Sequence, residues 1–410
     1  MKVLVTGATG FVGGELLRRL ARQARPVVCL VRASSDAAAR ERGAATARAL
    51  KLPSGARVEW LAGDLERPAL GLEPATFQRL AGEVSEIFHC AASTDFDLPL
   101  EDAIKTNVEG ARRVGELASA AHARGGLLRL VHVSTAYVSG RARGTVTAEH
   151  LPPDDPALFR NTYERTKAMA ERLLRELAAR EGIPLTILRP SIVTGDSRTG
   201  WTSNWNVLYF PFRMIAWRKS PFISCGRGAL LDCVPVDWVA DATLALGRRP
   251  DTAGRTLHLT AGEDAPTVRR MFQDMCAAVR RREGPGARIR TRLLGPVLWF
   301  IVTTLLRLFG SEHTRKALSG LSTYVEYTCV RTRFDVRRET ALLAAEGVTF
   351  PAAAEFLPRV LDYALEENFG RPRPVPQKRP TPLAAALQSA TGTIADALKS
   401  GVIAPDGLAA

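Results

Sequence analysis

Cysteine is scarce in this 410-residue chain, and the six present, Cys29, Cys90, Cys225, Cys233, Cys276 and Cys329, stand far apart with no C-x-x-C pair. That spacing excludes a zinc ribbon or a disulfide frame. It reads as reduced core thiols, so no metal site is expected and the expected compartment is the cytoplasm. Long apolar runs are also missing: the uncharged stretch Leu293 to Leu306 has 14 residues, short of the ~20 that cross a bilayer. The first strand pattern begins at Lys2, which leaves no room for a signal peptide. No internal repeat is visible, and no basic stripe with interleaved aromatics, so nucleic acid is not an expected partner. Acidic residues are outnumbered, 42 against 56 basic ones, for a net charge of +14. An acidic partner such as a phosphorylated cofactor, coenzyme A, an acyl carrier protein or an anionic membrane would use that excess; a general arginine bias accounts for it equally well.

What is present begins at once. Thr6 to Gly13 reads TGATGFVG, directly after the apolar Val3-Leu4-Val5 and before a helical pattern from Glu15 to Leu20. Strand, glycine turn and helix in this order are the layout of a dinucleotide site. Gly7 permits the tight turn, Gly10 lets backbone approach a pyrophosphate, and Gly13 allows close packing of helix on strand. Thr9, Phe11 and Val12 complete the turn whose free N–H groups would face the phosphates.

Further strand patterns at Val27 to Val31, Val58 to Leu61, Ile87 to Cys90, Leu128 to Val133 and Leu185 to Leu188 alternate with helical ones. They predict an α/β fold, a Rossmann-type doubly wound parallel sheet. Ligand chemistry should gather at the carboxyl ends of its strands, at Arg32, Asp64, Ala91 to Ser93, Ser134, Thr135 and Pro190 to Ile192. Arg32 stands where an NAD site offers an acid, and with Arg40 or Arg42 it suits a 2′-phosphate, which makes NADPH the expected cofactor.

The expected domains are a core over residues 1–200, completed by 232–260, and a smaller, mainly helical substrate lobe over 201–231 and 261–369. A Pro-rich linker and a tail follow over 370–410. Within the lobe, Arg288, Arg290 and Arg292 precede the uncharged stretch ending near Phe309. A buried helix walling the substrate cavity is favoured there over a peripheral contact with a membrane, and both remain open.

Tyr163 and Lys167 are spaced i, i+4 on a helical pattern, so the ammonium can lie near the phenol and favour its ionised form. Ser134 and Thr135 follow a strand, where a hydroxyl can hold a substrate carbonyl and the oxyanion that develops on it; a turn capping the strand would leave the same pattern.

TGATGFVG, Gly63-Asp64-Leu65, His89 to Ser93, Asn107 to Gly110, Ser134 to Tyr137, Tyr163 to Lys167 and Arg189 to Ser191 occur in order, and through them the chain resembles the extended short-chain dehydrogenase/reductase family over about residues 1–369. The resemblance implies a catalytic set of Thr135 (or Ser134), Tyr163 and Lys167, with Lys167 also bonding the nicotinamide ribose. It implies that Asp64 contacts the adenine, that Leu65, Ala91, Ala92 and Ser93 line the cofactor cleft, and that Asn107 holds the fold near the active-site helix. Pro190, Ser191 and Ile192 would complete the cofactor site. Leu30 to Ala33, His89 to Val114, His132 to Tyr137 and Thr199 to Asn206 look most like the fatty acyl-CoA reductase and thioester reductase branch. That likeness implies NADPH-dependent reduction of an acyl thioester, bound to coenzyme A or an acyl carrier protein, to aldehyde or alcohol. A nucleotide-sugar epimerase, a hydroxysteroid-type dehydrogenase and a cofactor-sensing scaffold are the alternatives.

Overall fold

The computed structural model describes residues 1–205, 208–220, 222–309 and 322–371, without the side chains of residues 307 and 322–324. Of the expected linker and tail, residues 372–410 therefore lie outside the described residues. In chain order the strands are β1 (Lys2–Thr6), β2 (Val27–Val31), β3 (Val58–Ala62), β4 (Val84–His89), β5 (Arg129–Val133), β6 (Gly144–Val146) and β7 (Leu185–Pro190). They continue with β8 (Ile192–Thr194), β9 (Phe222–Ser224), β10 (Cys233–Pro235), β11 (Thr256–Leu259), β12 (Arg292–Leu294) and β13 (Thr332–Phe334).

Seven of them form one parallel sheet in the order β11-β7-β5-β4-β1-β2-β3. The pleat explains the apolar run at the centre of β1. On β1, Val3 and Val5 pack with Leu16, Leu17 and Leu20 of the Phe11–Arg22 helix, while Leu4 packs on the opposite face with Leu117, Ala118 and Leu174. Both faces are covered, so both sets of alternate residues must be apolar. From β1 the chain winds outward to β2 and β3, then returns to β4 on the other side. That reversal opens a crevice at the carboxyl ends of β1 and β4, the usual ligand position in such sheets.

The chain divides into two compact units. The first comprises Met1–Asn204, Asp232–Ala265 and Thr332–Phe356; the second comprises Trp205–Leu231, Pro266–Arg331 and Leu357–Ala410. Residues 332–356 correct the expected boundary, which gave all of 261–369 to the lobe. Here β13 pairs in parallel with β6, Leu343 enters the core of the first unit, and Glu339 Oε1 accepts the His258 backbone N–H at 3.0 Å. Among its described residues the second unit is mainly helical, with Tyr209–Ala216, Val268–Glu283 and Pro296–Phe309 beside the short β9–β12 pair.

Candidate active site

The glycine turn after β1 has the geometry a dinucleotide requires. Gly7 adopts φ +74°, and a methyl group there would stand 2.7 Å from the Ala91 backbone nitrogen, so neither its conformation nor its surroundings admit a side chain. A methyl at Gly13 would lie 2.3 Å from the Gly7 carbonyl oxygen, so this glycine lets the first helical turn pack under the loop. The Phe11–Arg22 helix starts at Gly10 with no side-chain cap and no acid in its first turn, which leaves its N–H groups to an anion.

This turn borders a cleft of about 580 Å³. Gly7, Thr9, Gly10, Arg32, Arg42, Asp64, Leu65, Ala91, Ala92 and Ser93, all expected at the cofactor, line it. Arg42 donates from Nη1 to the Arg32 carbonyl at 3.0 Å and so braces the loop after β2. Asp64 turns its own loop by accepting the Glu66 N–H at 2.9 Å. Asn107 accepts the Ser93 N–H at 2.8 Å and donates to Ser93 O at 3.1 Å and to Thr166 Oγ1 at 3.0 Å. One amide thus ties the loop after β4 to the helix that carries Tyr163.

Other expected residues lie elsewhere. Phe11 and Val12 open the helix beside the cleft, and the Phe11 ring meets that of Trp201 with centroids 6.1 Å apart. Pro190, Ser191 and Ile192 are not among the residues lining the cleft. They join β7 to β8: the Ser191 N–H bonds Leu259 O at 3.2 Å, the Ile192 N–H bonds Asp232 O at 3.3 Å, and Ile192 pairs with Cys233. Sequence reasoning missed Thr6, Glu66, Cys90, Asp102, Lys105 and Thr106 in the lining. The last three sit within two turns of Asn107, the signal that would have found them. Glu66 accepts the Thr106 hydroxyl at 2.7 Å and lies 3.9 Å from Arg32, so an acid does stand in this cleft, one strand over from the expected place.

The helix Thr162–Glu181 starts where it does because Asn161 accepts the Glu164 N–H at 2.9 Å, while Glu164 Oε2 accepts the Arg160 N–H at 3.0 Å. It ends at Gly182 in the left-handed conformation, φ +71°. Thr135 and Ser134 follow β5 and face opposite ways. Thr135 Oγ1 accepts the Tyr137 N–H at 3.3 Å and acts on the neighbouring Tyr163 phenol against the effect of burial, whereas Ser134 lies beside Glu171 and acts on its carboxyl. Alternation at a strand end thus brings Thr135 to the tyrosine and removes Ser134 from the expected set.

Lys167 corrects a second expectation. Its ammonium donates to Val133 O at 2.8 Å and lies 3.4 Å from His132 Nε2, so it is aimed at β5 and not at the phenol. Burial pushes the Tyr163 phenol up to about 12, opposed by Thr135, and the lysine does not lower it. Burial also brings Lys167 down to about 8, against the pull of Glu171 and Cys90. Beneath it the register sets Thr6, His89 and His132 in one row across β1, β4 and β5. The two imidazoles lie 5.1 Å apart, and burial with the nearby ammonium holds both well below the usual histidine range. Both rings are therefore neutral. Because the ammonium can only donate, His132 Nε2 is the acceptor of this contact.

A buried pair backs the site. Arg189 donates from Nε to Glu171 Oε1 at 2.9 Å and from Nη2 to Oε2 at 2.6 Å, and both side chains are fully buried. Its Nη1 completes the set with Ala148 O at 2.9 Å and His150 O at 2.8 Å.

A solved structure, the terminal R domain from the myxalamid PKS-NRPS biosynthetic pathway, superposes with a TM-score of 0.75 at 29% identity, over 90% of this chain and 91% of that one. Nonribosomal peptide synthetase asaC of Aspergillus flavus is 33% identical over 275 residues, 63% of this chain and 26% of that protein. Fatty acyl-CoA reductase 1 of Gallus gallus is 30% identical over 281 residues, 59% of this chain and 53% of that protein. The chain thus spans a quarter to about half the length of these two relatives. Residues 5–243 match the NAD-binding family described as Male sterility protein, and this chain belongs to that family.

Proposed function

We propose that the chain is an NADPH-dependent reductase of acyl thioesters, carried by coenzyme A or by an acyl carrier protein, yielding the aldehyde and, after a second reduction, the alcohol. The placing of the Thr135 hydroxyl beside the Tyr163 phenol, next to a dinucleotide cleft, carries this reading. The likeness to an R domain and to a fatty acyl-CoA reductase supports the thioester as substrate. When bound, the cofactor supplies hydride. Gly7, Gly10 and the free helix N-terminus would hold its pyrophosphate, and Arg32 with Arg42 would face the 2′-phosphate. Thr135 and Tyr163 would hold the thioester carbonyl oxygen, and the phenol, still protonated near neutrality, would give it a proton as negative charge develops. Lys167 would hold the cofactor ribose.

We assign the second unit to the acyl chain. Its small pocket among Pro211, Ile215, Ile223, Met271, Phe272 and Met275 supports this, since burial supplies ~0.8 kcal/mol per CH₂ and methionine adapts to chain shape. A long acyl thioester is an amphiphile, so a peripheral contact with a membrane belongs to the same reading.

Incubation with NADPH and a panel of acyl-CoAs should release free thiol in proportion to aldehyde or alcohol formed. Free fatty acids should be inert, because a carboxylate has no leaving group and repels hydride. Turnover of nucleotide sugars or hydroxysteroids, with none on any thioester, would overturn the function.

Two further outcomes follow. Arg32→Asp should weaken NADPH binding about tenfold and narrow the preference over NADH, the low end for a charge-assisted bond because Arg32 is 75% exposed. Fluorescence titration of both cofactors checks this, and tighter NADH binding by the unmodified protein would sink it. The second concerns pH: Lys167 loses its proton as pH rises through about 8, so kcat/KM should fall above that value. Lys167→Arg, which stays charged, should remove the fall from whatever activity it retains. A profile flat into the ordinary lysine range would contradict the assignment.

A further inference from the structure

The helix Pro296–Phe309 is two-sided in an unusual sense. Val302, Thr303 and Leu306 are buried, as a helix of the second unit requires. The opposite side is apolar as well. Val297, Phe300, Ile301, Leu305, Leu308 and Phe309 follow the i, i+3, i+4 spacing of one face, with Phe300 67% and Phe309 83% exposed. These exposures overturn the favoured expectation of a buried wall for that face. Apart from Met1 and Leu128, every exposed large hydrophobic among the described residues belongs to it, and apolar surface gathered on one face marks an interaction site.

The approach to the helix is basic. Arg288, Arg290 and Arg292 are exposed while Ile289 between them is half-buried and Thr291 buried, so the three guanidinium groups share one side of an extended segment. Among the described residues they have no ion-pair partner. Arg292 stands five residues before Val297, within about 18 Å of chain. No helix among the described residues is long and apolar enough to cross a membrane.

We propose that the outer face of the Pro296–Phe309 helix docks on an anionic bilayer surface, its apolar side chains entering the acyl boundary and the three arginines meeting lipid phosphates and carboxylates. Unpaired guanidinium groups beside an apolar stripe choose this occupant over a second copy of the chain, whose own arginines would face them with like charge. The inference rests on the membrane contact proposed above and names its face and lipid chemistry; it does not depend on which thioester is reduced.

Sedimentation of the full chain with vesicles of phosphatidylcholine, with and without phosphatidylserine, tests it. Binding should favour the phosphatidylserine vesicles and weaken as salt is raised. Phe300→Ser with Leu308→Ser should lower binding to them by at least about tenfold. Replacing the three arginines by glutamine should remove the phosphatidylserine advantage, roughly fivefold for each. Both variants should melt with the unmodified protein and keep its turnover of a short-chain acyl-CoA, which separates docking from catalysis. Vesicle binding unchanged by either variant would overturn the proposal. So would a full chain that ignores both vesicles yet forms dimers that Phe300→Ser with Leu308→Ser dissociates, or one that binds only after removal of residues 372–410.

Discussion

Tyr163→Phe is expected to cut turnover about 10²- to 10⁴-fold, the range a positioned proton donor supplies, while NADPH affinity changes less than about twofold. The phenol lies beside Thr135, and the cofactor phosphates would meet the glycine turn and Arg32, so removing one oxygen takes away proton transfer and leaves the cradle intact. The magnitude follows from the direction of the phenol's shift. Burial pushes Tyr163 up to about 12, which keeps it protonated throughout the physiological range and makes it a donor in resting enzyme. Steady-state rates on an acyl-CoA together with cofactor fluorescence measure both halves. Near-normal turnover would mean that another acid protonates the oxyanion.

Glu171→Ala is expected to be the most damaging single change to stability. It would leave Arg189, fully buried and fixed by two backbone carbonyls, with no counter-charge. Breaking such a pair from one side costs roughly 3–5 kcal/mol, or about 6 to 20 °C in Tm for a domain of this size. Burial works against the Glu171 carboxylate, but Arg189 and Ser134 together hold it below the usual carboxylate range. The charge therefore persists, and its removal is felt. A Glu171→Leu, Arg189→Met double variant should recover much of the loss, since matched apolar groups can replace a buried pair. Calorimetry decides it: a Glu171→Ala protein melting within a degree or two of the original would show that water reaches Arg189.

What the sequence reveals and what it hides divide along the range of the interactions. The glycine turn and the alternating strands and helices are written in local spacing, and each is found where that spacing puts it. The i, i+4 spacing of Tyr163 and Lys167 fixes their shared helix face, but it does not fix the ammonium, which finds Val133 O and His132 on a strand more than 30 residues earlier. Ser134 and Thr135 are alike in type, and only the presence of Glu171 on one side and Tyr163 on the other tells them apart. Pro190 to Ile192 sit at a strand end like other cofactor residues, yet β11 and β10 take up their backbone. The three residues of β13 pair with β6, from which 185 intervening residues separate them, and so short a strand shows no period of its own.

The path of the chain through its two units bears on how the protein is made. Thr332–Phe356, which gives β13 and Leu343 to the first unit, is synthesised only after both earlier segments of the second unit, Trp205–Leu231 and Pro266–Arg331. A ribosome emitting this chain therefore releases the nucleotide-cleft residues first but withholds the last piece of their unit until residue 331 has been added. Nascent protein must carry an unfinished sheet domain while the helical unit grows, which prolongs the exposure of apolar surface to chaperones and to aggregation. By the same connectivity, a gene fragment stopped at residue 331 encodes every residue singled out for catalysis and still specifies an incomplete domain.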